Sequence, residues 1–304
     1  MNEKTLRSAQ RSVEISRADK VLYPRGGITK GDVAEYYRRV GPTVVRYADG
    51  RPLAAERYPD GIEGQRIFQK NVPAHTPDWI ERVAVPKKEG GETVHMVCTE
   101  PAALMHLADQ ACLTPHVWLS RVDDLQRPDR MVLDLDPTGN DLRTLRSAAR
   151  SAGELLEELG LAAFVMTTGS RGFHVLVPLR REQTFDQVRD FARDVATVLA
   201  EREPRKLTVE QRKTERSGRV FVDYLRNAYA QTTVTPYALR AGKTAPVATP
   251  ISWQELDRVE PWGLTIHDVP QRLHEHGDEW SSIGNRARSL GHPRRLLDDL
   301  VPST

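Results

Sequence analysis

Two aspartates interrupt an otherwise apolar stretch at residues 131–137, which reads MVLDLDP. Side chains two residues apart on a β-strand share a face, so a strand here points Asp134 and Asp136 to one side and Leu133 and Leu135 to the core. Two carboxylates held together repel each other unless a cation compensates them, and hard oxygen ligands suit Mg²⁺ or Mn²⁺. Two exposed aspartates at a strand end are the alternative interpretation of a bare Asp-x-Asp pattern, but the apolar flanks favour a metal-binding strand.

A third aspartate lies in a second apolar stretch, residues 219–225, with the sequence RVFVDYL. An unpaired charge among β-branched and aromatic residues is costly, so Asp223 needs a partner. If the two stretches form neighbouring strands, Asp134, Asp136 and Asp223 could hold two cations about 3.5 to 4 Å apart, the geometry of in-line nucleotidyl transfer. Taken alone, Asp223 is typical of a salt-bridged structural residue.

A glycine turn lies between these stretches, in the sequence TTGSRGFHVLV at residues 167–177. Gly169 and Gly172 permit a tight turn with free backbone N–H groups, and Ser170, Arg171 and His174 add donors suited to phosphate oxygens. The turn leads into a strand and lacks Gly-Lys-Ser, so it is not a Walker loop. An ordinary hairpin turn is the alternative interpretation of the glycines, although a polar His174 in an apolar strand favours a functional role.

Turn signals alternate with helix-like and strand-like patterns along the chain, which indicates a mixed α and β class. The patterns predict helices at residues 29–47, 101–111, 141–159 and 185–202. They predict short strands within 51–71, a hairpin at 83–97, and strands at 116–119, 130–135, 164–167, 173–179 and 220–225. The 304 residues suit one large domain or two packed subdomains, with a boundary near residues 120–128.

Charge is distributed unevenly along the chain, although the net charge is only +2. Residues 1–30 carry seven Lys or Arg against three Asp or Glu, and residues 205–243 carry nine against three. Residues 78–158 carry nine basic and fifteen acidic residues. This asymmetry suits a polyanion-binding surface beside a cation-binding site, and solvated helix faces are the alternative.

Cysteine content and hydropathy limit the class of protein. Cys98 and Cys112 are too few for a disulfide framework and lack the paired spacing of a structural zinc site. The sequence has no run of about 18 apolar residues and no apolar amino-terminal segment that could be a signal peptide. A cytoplasmic protein without a membrane partner is therefore expected.

The order of these motifs resembles that of a known family. Asp-Leu-Asp-Pro, then Thr-Gly-Ser-Arg-Gly-x-His, then Val-Phe-Val-Asp is the order of the archaeo-eukaryotic primase superfamily. The chain is more closely similar to the polymerase domain of bacterial non-homologous end-joining ligase D and its stand-alone relatives. That likeness includes ADKVLYP at residues 18–24 and TPYALR at residues 235–240.

The resemblance implies an α+β primase-polymerase fold, with central mixed, largely antiparallel sheets flanked by helices and two intimately packed subdomains. Residues 1–304 would form a single catalytic unit, in which residues 1–125 contact DNA ends and template and residues 126–304 carry the catalytic groups. The sequence contains no ligase or nuclease motif, so we expect either a separate ligase polypeptide or an excised domain.

The resemblance also assigns roles to individual residues. Asp134, Asp136 and Asp223 would be catalytic and would hold two Mn²⁺ or Mg²⁺ ions. Positions that match the family's nucleotide-binding residues are His116, Thr168, Ser170, Arg171, His174, Arg216 and Arg240. His116 falls where the family has an active-site histidine near the sugar and metal, and a structural histidine is the alternative.

Contacts to DNA follow from the same resemblance. Lys20 and Lys30 occupy positions that recognise a 5′-phosphate on the downstream strand, and without the family match each would be an ordinary surface lysine. Phe68 matches an aromatic residue that stacks on a template base, with an ordinary core aromatic as the alternative.

Two positions depart from the family pattern. Glu56 stands where relatives often have a basic residue, and Arg226 stands where they often have Gln. Details of template grip or nucleotide contact are therefore expected to differ. The hairpin at residues 84–97 sits where relatives align two DNA ends, with Lys87 and Lys88 as its basic residues.

The implied activity is template-dependent nucleotidyl transfer that fills gaps and extends 3′ ends during DNA break repair. The resemblance implies Mn²⁺ and ribonucleotide preference, gapped or broken DNA and NTP or dNTP as substrates, and a location at the bacterial nucleoid. A separate DNA ligase and a Ku-type end-binding protein are the expected partners.

Three alternatives remain open from the sequence. A primase-polymerase would initiate strands without a primer, and a DNA-end-binding module would have a vestigial active site. An Asp-x-Asp glycosyltransferase would use similar metal chemistry but leaves Lys20, Lys30 and Asp223 unexplained.

Overall fold

The computed structural model describes residues 2–9, 11–87 and 90–301. The chain divides into two compact units. The first unit comprises the chain up to Trp118 together with Thr232–Thr249 and Trp262–Asp278. The second unit comprises Leu119–Gln231, Pro250–Pro261 and the chain from Glu279. The expected division into residues 1–125 and 126–304 would put Thr232–Thr249 and Trp262–Asp278 in the second subdomain, whereas here both segments belong to the first unit.

Strands and helices are numbered in chain order over the described residues. The strands are β1 (Lys4–Arg7), β2 (Ser12–Ile15), β3 (Val21–Tyr23), β4 (Ile28–Thr29), β5 (Pro52–Arg57), β6 (Ile67–Gln69), β7 (Arg82–Pro86), β8 (Glu92–Val97), β9 (Cys112–Trp118), β10 (Arg130–Pro137), β11 (Phe164–Thr167), β12 (Phe173–Pro178), β13 (Leu207–Thr208), β14 (Val220–Asp223), β15 (Thr232–Val234) and β16 (Pro250–Ile251). The α-helices are α1 (Lys30–Ala48), α2 (Pro101–Asp109), α3 (Leu142–Glu158), α4 (Phe185–Arg202), α5 (Asp268–His276) and α6 (Gly291–Asp298).

The first unit is built on a sheet with the strand order β15-β9-β5-β8-β7, and β6 also pairs with β5. Helices α1 and α2 pack against each other. Thr29 and Asp32 form a reciprocal capping box that fixes the start of α1, as the Thr-x-x-Asp spacing predicts. From α1, Val33, Val40 and Val44 enter the core because apolar residues at helical spacing form one buried face.

The second unit contains a sheet with the order β13-β14-β10-β12-β11-β16. Its neighbouring strands are antiparallel apart from the parallel pair β13 and β14. Helices α3 and α4 pack against this sheet, and Leu133 and Leu135 of β10 are fully buried. Strand β10 therefore presents its leucines to the core and its aspartates to the opposite face.

The α+β class with largely antiparallel sheets is confirmed, and so are the helices predicted from periodicity, within one or two residues at each end. The strand predicted at residues 130–135 continues to Pro137, and the strand predicted at 220–225 ends at Asp223. The predicted hairpin is formed by β7 and β8, but Lys88 and Glu89 at its tip lie outside the described residues. No helix among residues 2–9, 11–87 and 90–301 is long and apolar enough to cross a membrane.

Candidate active site

Three neighbouring strands of the second unit place three polar residues in one row. Asp134 of β10 lies opposite His174 of β12 on one side and opposite Asp223 of β14 on the other. The His174 Nε2 atom is 3.5 Å from an Asp134 carboxylate oxygen. Residues directly opposite each other in a sheet have side chains in contact range. The strands that carry Asp134 and Asp223 are therefore adjacent, and their register brings these two residues together.

Asp136 points to the same side of β10 and is neutralised by two arginines. Arg171 donates from Nη2 to one carboxylate oxygen at 3.1 Å, and Arg216 donates from Nη1 to the other at 3.0 Å. The two arginines differ in freedom, since the Arg171 side chain is half exposed and Arg216 is buried. Asp134, Asp136 and Asp223 are called the aspartate site below.

Arg216 is held rigidly by its other contacts. Its Nε donates to the Glu210 carbonyl at 3.1 Å, and its Nη2 donates to the Gln211 carbonyl at 2.9 Å. Its guanidinium also stacks over the Phe221 ring at 4.1 Å from the centroid. A planar guanidinium with several fixed donors presents its remaining edge in a preset direction. Arg216 is therefore a preorganised cation at the aspartate site.

The glycine turn between β11 and β12 packs directly against the strand of the aspartate site. A Cβ added at Gly172 would lie 2.1 Å from the Leu135 carbonyl oxygen, so only glycine fits there. The Thr168 hydroxyl donates to the Gly172 carbonyl at 2.9 Å and accepts from the Ser170 and Gly172 backbone N–H groups, each at 3.2 Å. Thr168 thus shapes the turn, while Ser170 and Arg171 are exposed on it.

Electrostatics distinguish Asp223 from its neighbours. Burial raises the pKa of Asp223, one backbone N–H bond from Leu225 opposes this, and the Asp134 carboxylate raises the pKa further. The raised pKa means that the charged form of Asp223 is less stable here than in water. Burial, helped by the Asp134 carboxylate, therefore outweighs the Leu225 N–H group and the charges of Arg226 and Arg216.

The donor set fits divalent cations in its chemistry, because three carboxylates on adjacent strands supply the hard oxygens that Mg²⁺ and Mn²⁺ prefer. Within residues 2–9, 11–87 and 90–301, however, no group of three or more His, Cys, Asp or Glu side chains is already arranged to hold a metal ion. Asp136 faces Arg171 and Arg216 instead.

The first unit contains the other predicted nucleotide-binding residues, His116 and Arg240. His116 of β9 is joined to Glu56 of β5, with its Nε2 at 2.7 Å from a carboxylate oxygen. Glu56 also accepts a hydrogen bond from the Tyr58 hydroxyl at 2.8 Å, and it forms an ion pair with Arg66, whose Nε lies 3.1 Å from a carboxylate oxygen. Glu56, Tyr58, Arg66 and His116 are called the glutamate cluster below.

The pKa of Glu56 moves in the opposite direction from that of Asp223. Burial would raise it, but the hydrogen bond and charge of His116, the nearby Arg240 and the Tyr58 hydroxyl lower the pKa of Glu56 to about 2. The carboxylate is therefore ionised over the whole working range of pH. Arg240 contributes to this field from the loop that follows β15.

The two predicted phosphate-binding lysines lie in different environments. Lys20 is partly exposed and its Nζ is 3.3 Å from an Asp60 carboxylate oxygen. Lys30 is only 3% exposed, and its Nζ donates to Ser16 Oγ at 3.0 Å, to the Asp109 carbonyl at 3.1 Å and to the Asp109 carboxylate at 2.8 Å. An ammonium group has three donors, so Lys30 has none to spare in this arrangement.

Phe68 of β6 is 39% exposed, which distinguishes it from an ordinary core aromatic. Its ring contacts the His116 ring edge-on at a centroid distance of 5.4 Å, and the Arg66 guanidinium lies 5.9 Å from its centroid.

Glu56, Tyr58 and Arg66 had no predicted role, although Glu56 departs from the family pattern. Asp109, the partner of Lys30, was not predicted either. The signal that points to Glu56 is a charged residue directly after Pro-Leu-Ala-Ala in β5. Asp109 ends a helix and has no comparable signal in the sequence.

Comparison with known proteins agrees with this geometry. The family model described as LigD, primase-polymerase domain, matches residues 29–280. The multifunctional non-homologous end joining protein LigD of Mycolicibacterium smegmatis is 35% identical over 269 residues, which cover 88% of this chain and 35% of the relative. The protein of the same name from Pseudomonas aeruginosa is 34% identical over 298 residues, which cover 96% of this chain and 35% of the relative. The chain thus spans about a third of the length of these relatives.

A solved structure gives the same assignment. The chain is similar to the polymerase domain from Mycobacterium tuberculosis ligase D in complex with DNA, with a TM-score of 0.85 and 33% sequence identity. The match covers 91% of this chain and 99% of that chain. With three aspartates in register, a glycine turn against their strand and a family match over most of its length, the chain belongs to the LigD primase-polymerase domain family, a family of DNA-directed nucleotidyltransferases.

Proposed function

We propose that this protein fills gaps and extends 3′ ends on broken DNA in non-homologous end joining, by template-dependent nucleotidyl transfer. The observation that carries the proposal is the register of β10 and β14, which pairs Asp134 with Asp223 next to Asp136. Three carboxylates concentrated on one sheet face have no folding benefit of their own, since like charges repel. A reaction that depends on bound cations would explain why the three carboxylates are kept together despite their repulsion.

Asp134, Asp136 and Asp223 would hold two divalent cations, Mn²⁺ or Mg²⁺. Cations bound there would favour ionisation of a primer 3′-hydroxyl and neutralise the charge of a nucleoside triphosphate. The raised pKa of Asp223 supports this role, because a bound cation would stabilise the charged form of a carboxylate that burial and a neighbouring carboxylate destabilise.

The basic residues of the second unit would bind the triphosphate. Arg171 and Arg216 donate to Asp136, and His174 lies opposite Asp134, while Ser170 would add a donor from the glycine turn. If divalent cations were held by Asp136, the exposed Arg171 and the free edge of Arg216 would be available to phosphate oxygens. Charge-assisted bonds from guanidinium to phosphate are among the strong hydrogen bonds of proteins. Thr168 acts through the turn and not as a direct ligand, because its hydroxyl is occupied by the turn itself.

The first unit would contact the DNA. Phe68 would stack on a template base, and Lys20 would reach a downstream 5′-phosphate; His116 and Arg240 would act at the nucleotide. Lys30 would join Lys20 only if phosphate displaced one of its bonds to Asp109 and Ser16, so we assign Lys20 the larger part. Preference for ribonucleotides and for Mn²⁺, a location at the nucleoid, and a ligase and a Ku-type protein as partners belong to this proposal.

The test is extension of a labelled primer on gapped DNA. The reactions compare a downstream 5′-phosphate with a 5′-hydroxyl, NTPs with dNTPs, and Mg²⁺ with Mn²⁺. Asp136→Ala is the test variant, and Asp257→Ala is its control, because Asp257 is an exposed aspartate of the same unit that also pairs with an arginine. We expect phosphate-stimulated addition that Asp136→Ala abolishes and Asp257→Ala leaves unchanged. Undiminished addition by Asp136→Ala would overturn the proposal.

A further inference from the structure

Glu56 is a buried anion for which the proposed function has no use. Its side chain is 7% exposed and makes three polar contacts, with the His116 imidazole, the Tyr58 hydroxyl and the Arg66 guanidinium. Burying a carboxylate is costly unless it is fully paired. The groups that the Glu56 carboxylate holds in place therefore explain why a charge is kept inside this sheet.

The register of three strands explains which groups Glu56 can hold. On β5, Glu56 lies opposite Phe68 of β6 and opposite Thr114 of β9. Ala54 lies two residues before Glu56 and is opposite His116, so Glu56 and His116 share one face of the sheet as diagonal neighbours. The sheet itself therefore brings the carboxylate between the histidine and the strand that carries Phe68.

Two of the three groups held by Glu56, His116 and Arg66, also lie against the exposed ring of Phe68. His116 meets the ring edge-on at a centroid distance of 5.4 Å, and the Arg66 guanidinium lies 5.9 Å from the centroid. Arg66 is 60% exposed, so without an anchor its long side chain would populate many rotamers. An ionised carboxylate only accepts hydrogen bonds, so His116 must donate from Nε2, which fixes the orientation of its ring.

From these contacts we propose that Glu56 is a positioning residue that presets Phe68 and Arg66 as one platform for a base of single-stranded nucleic acid and holds His116 against the edge of that platform. Phe68 supplies the ring face, and Arg66 supplies a cation next to it. Aromatic rings joined with arginine are the combination that binds single strands without regard to sequence. The inference rests on the proposed function in taking the single strand to be the template overhang, and it adds Glu56 and Arg66 to the residues that govern its binding.

The platform is tested by equilibrium binding, without catalysis. The probe is a dye-labelled DNA duplex with a recessed 3′ end and a single-stranded 5′ overhang, and fluorescence anisotropy reports its affinity. Glu56→Gln removes the charge that holds the His116 imidazole and anchors Arg66. We expect it to weaken binding about tenfold, comparable to the loss of one stacked base. A blunt duplex of equal length should bind the variant and the parent protein equally.

The chain offers a close control in Asp278 of the same unit. Asp278 is a buried carboxylate that accepts hydrogen bonds from the Tyr47 and Tyr237 hydroxyls and pairs with exposed Arg46 at 3.8 Å. It has the same kinds of partner as Glu56 but lies after α5, outside the strands of the platform. Asp278→Asn should leave overhang binding unchanged. Equal losses in the two variants would overturn the inference, since Glu56 would then act only on stability.

A second variant does not depend on the buried charge. Arg66→Gln changes an exposed residue, and Arg46→Gln is its matched control with a similarly exposed side chain. We expect Arg66→Gln to weaken overhang binding severalfold and Arg46→Gln to have no effect. In a double-mutant cycle, the losses of Arg66→Gln and Phe68→Ala should be less than additive because both remove one platform. Full additivity, or no loss with Arg66→Gln, would contradict the proposal even if Glu56→Gln does not fold.

A spectroscopic signature separates positioning from mere stability. In ¹⁵N-labelled protein, His116 should show a protonated Nε2 that is lost or becomes mobile in Glu56→Gln and persists in Asp278→Asn. An unchanged His116 signal in Glu56→Gln would overturn the positioning role. Failure of the proposed function is recognised separately, because it appears as undiminished primer extension by Asp136→Ala while overhang binding still depends on Glu56.

Discussion

The two units each contain a cluster of carboxylates on a β-sheet, and the two clusters are electrostatic opposites. In the second unit, Asp223 faces Asp134 across two strands, and its pKa is raised by burial and by that neighbour. In the first unit, Glu56 is more deeply buried, yet His116, Arg240 and Tyr58 lower its pKa to about 2. The same chemical group is therefore destabilised as an anion in one sheet and stabilised in the other.

The difference separates a carboxylate that the protein itself satisfies from carboxylates that face each other. In the glutamate cluster, a histidine, an arginine and a hydroxyl hold the Glu56 carboxylate from within the protein. In the aspartate site, Asp134 and Asp223 lie opposite each other on adjacent strands, and Arg171 and Arg216 pair with Asp136. Three carboxylates on adjacent strands are the hard oxygens that the proposed divalent cations would bind.

Asp134→Asn should abolish nucleotidyl transfer, with a loss of about a thousandfold or more, because the cations proposed to bind there would supply several kcal/mol of transition-state charge stabilisation. Initial rates of primer extension measure the effect. Glu100→Gln, which changes a buried carboxylate of the first unit paired with Arg11, is the control and should retain activity. A loss below tenfold in Asp134→Asn would place the reaction elsewhere.

Gly172→Ala should displace the turn from the strand of the aspartate site, since the added Cβ would lie 2.1 Å from the Leu135 carbonyl oxygen. Overpacking of this kind costs about 1 to 3 kcal/mol, occasionally more, and moves Arg171 away from Asp136. The free energy of unfolding in urea should fall, and the KM for nucleotide should rise. Gly139→Ala is the matched control, because a Cβ at Gly139 meets nothing within 4 Å. Equal behaviour of the two variants would show that the close approach is unimportant.

Glu56→Gln should destabilise the fold at neutral pH by roughly 3 kcal/mol, because the Glu56 pKa falls from 4.5 to about 2 on folding. The pKa is depressed, so this stability is fully present above pH 4.5 and is lost as pH falls toward 2. Urea unfolding of both proteins at a series of pH values measures the difference. A difference that stays constant with pH would mean that packing, not charge, accounts for it.

Asp223→Asn should raise the melting temperature by a few degrees at neutral pH while abolishing extension. The folded pKa of Asp223 is raised, so wild-type stability from this group is complete at low pH and declines as pH rises through the folded value. The gain in the variant should therefore shrink on acidification and vanish where Asp223 is protonated in both states. Scanning calorimetry over that pH range decides the point, and a destabilised variant would contradict the raised pKa.

Much of this architecture was predictable because local signals and tertiary structure agree. The Thr29 and Asp32 pair fixes the start of α1, and period-2 alternation around Asp134 fixes the faces of β10. The pairing of β14 with β10 could not be predicted, because a single sequence does not show which distant strands pair.

What the sequence could not predict are contacts that depend on distant side chains. Lys30 resembles a surface lysine, yet it is buried against Asp109, which lies 79 residues away. Glu56 resembles a surface charge, yet β9 brings His116 to it from 60 positions further along the chain. The segments Thr232–Thr249 and Trp262–Asp278 return to the first unit, and composition gives no indication of this.

The proposed function requires divalent cations to bind at the aspartate site and not at the glutamate cluster. Binding of Mn²⁺ to the protein with a non-hydrolysable nucleoside triphosphate, followed by electron paramagnetic resonance, tests it directly in the parent protein, Asp134→Asn and Glu56→Gln. We expect Mn²⁺ binding in the parent and in Glu56→Gln and its loss in Asp134→Asn. Equal Mn²⁺ binding in all three proteins, or its loss only in Glu56→Gln, would contradict the account.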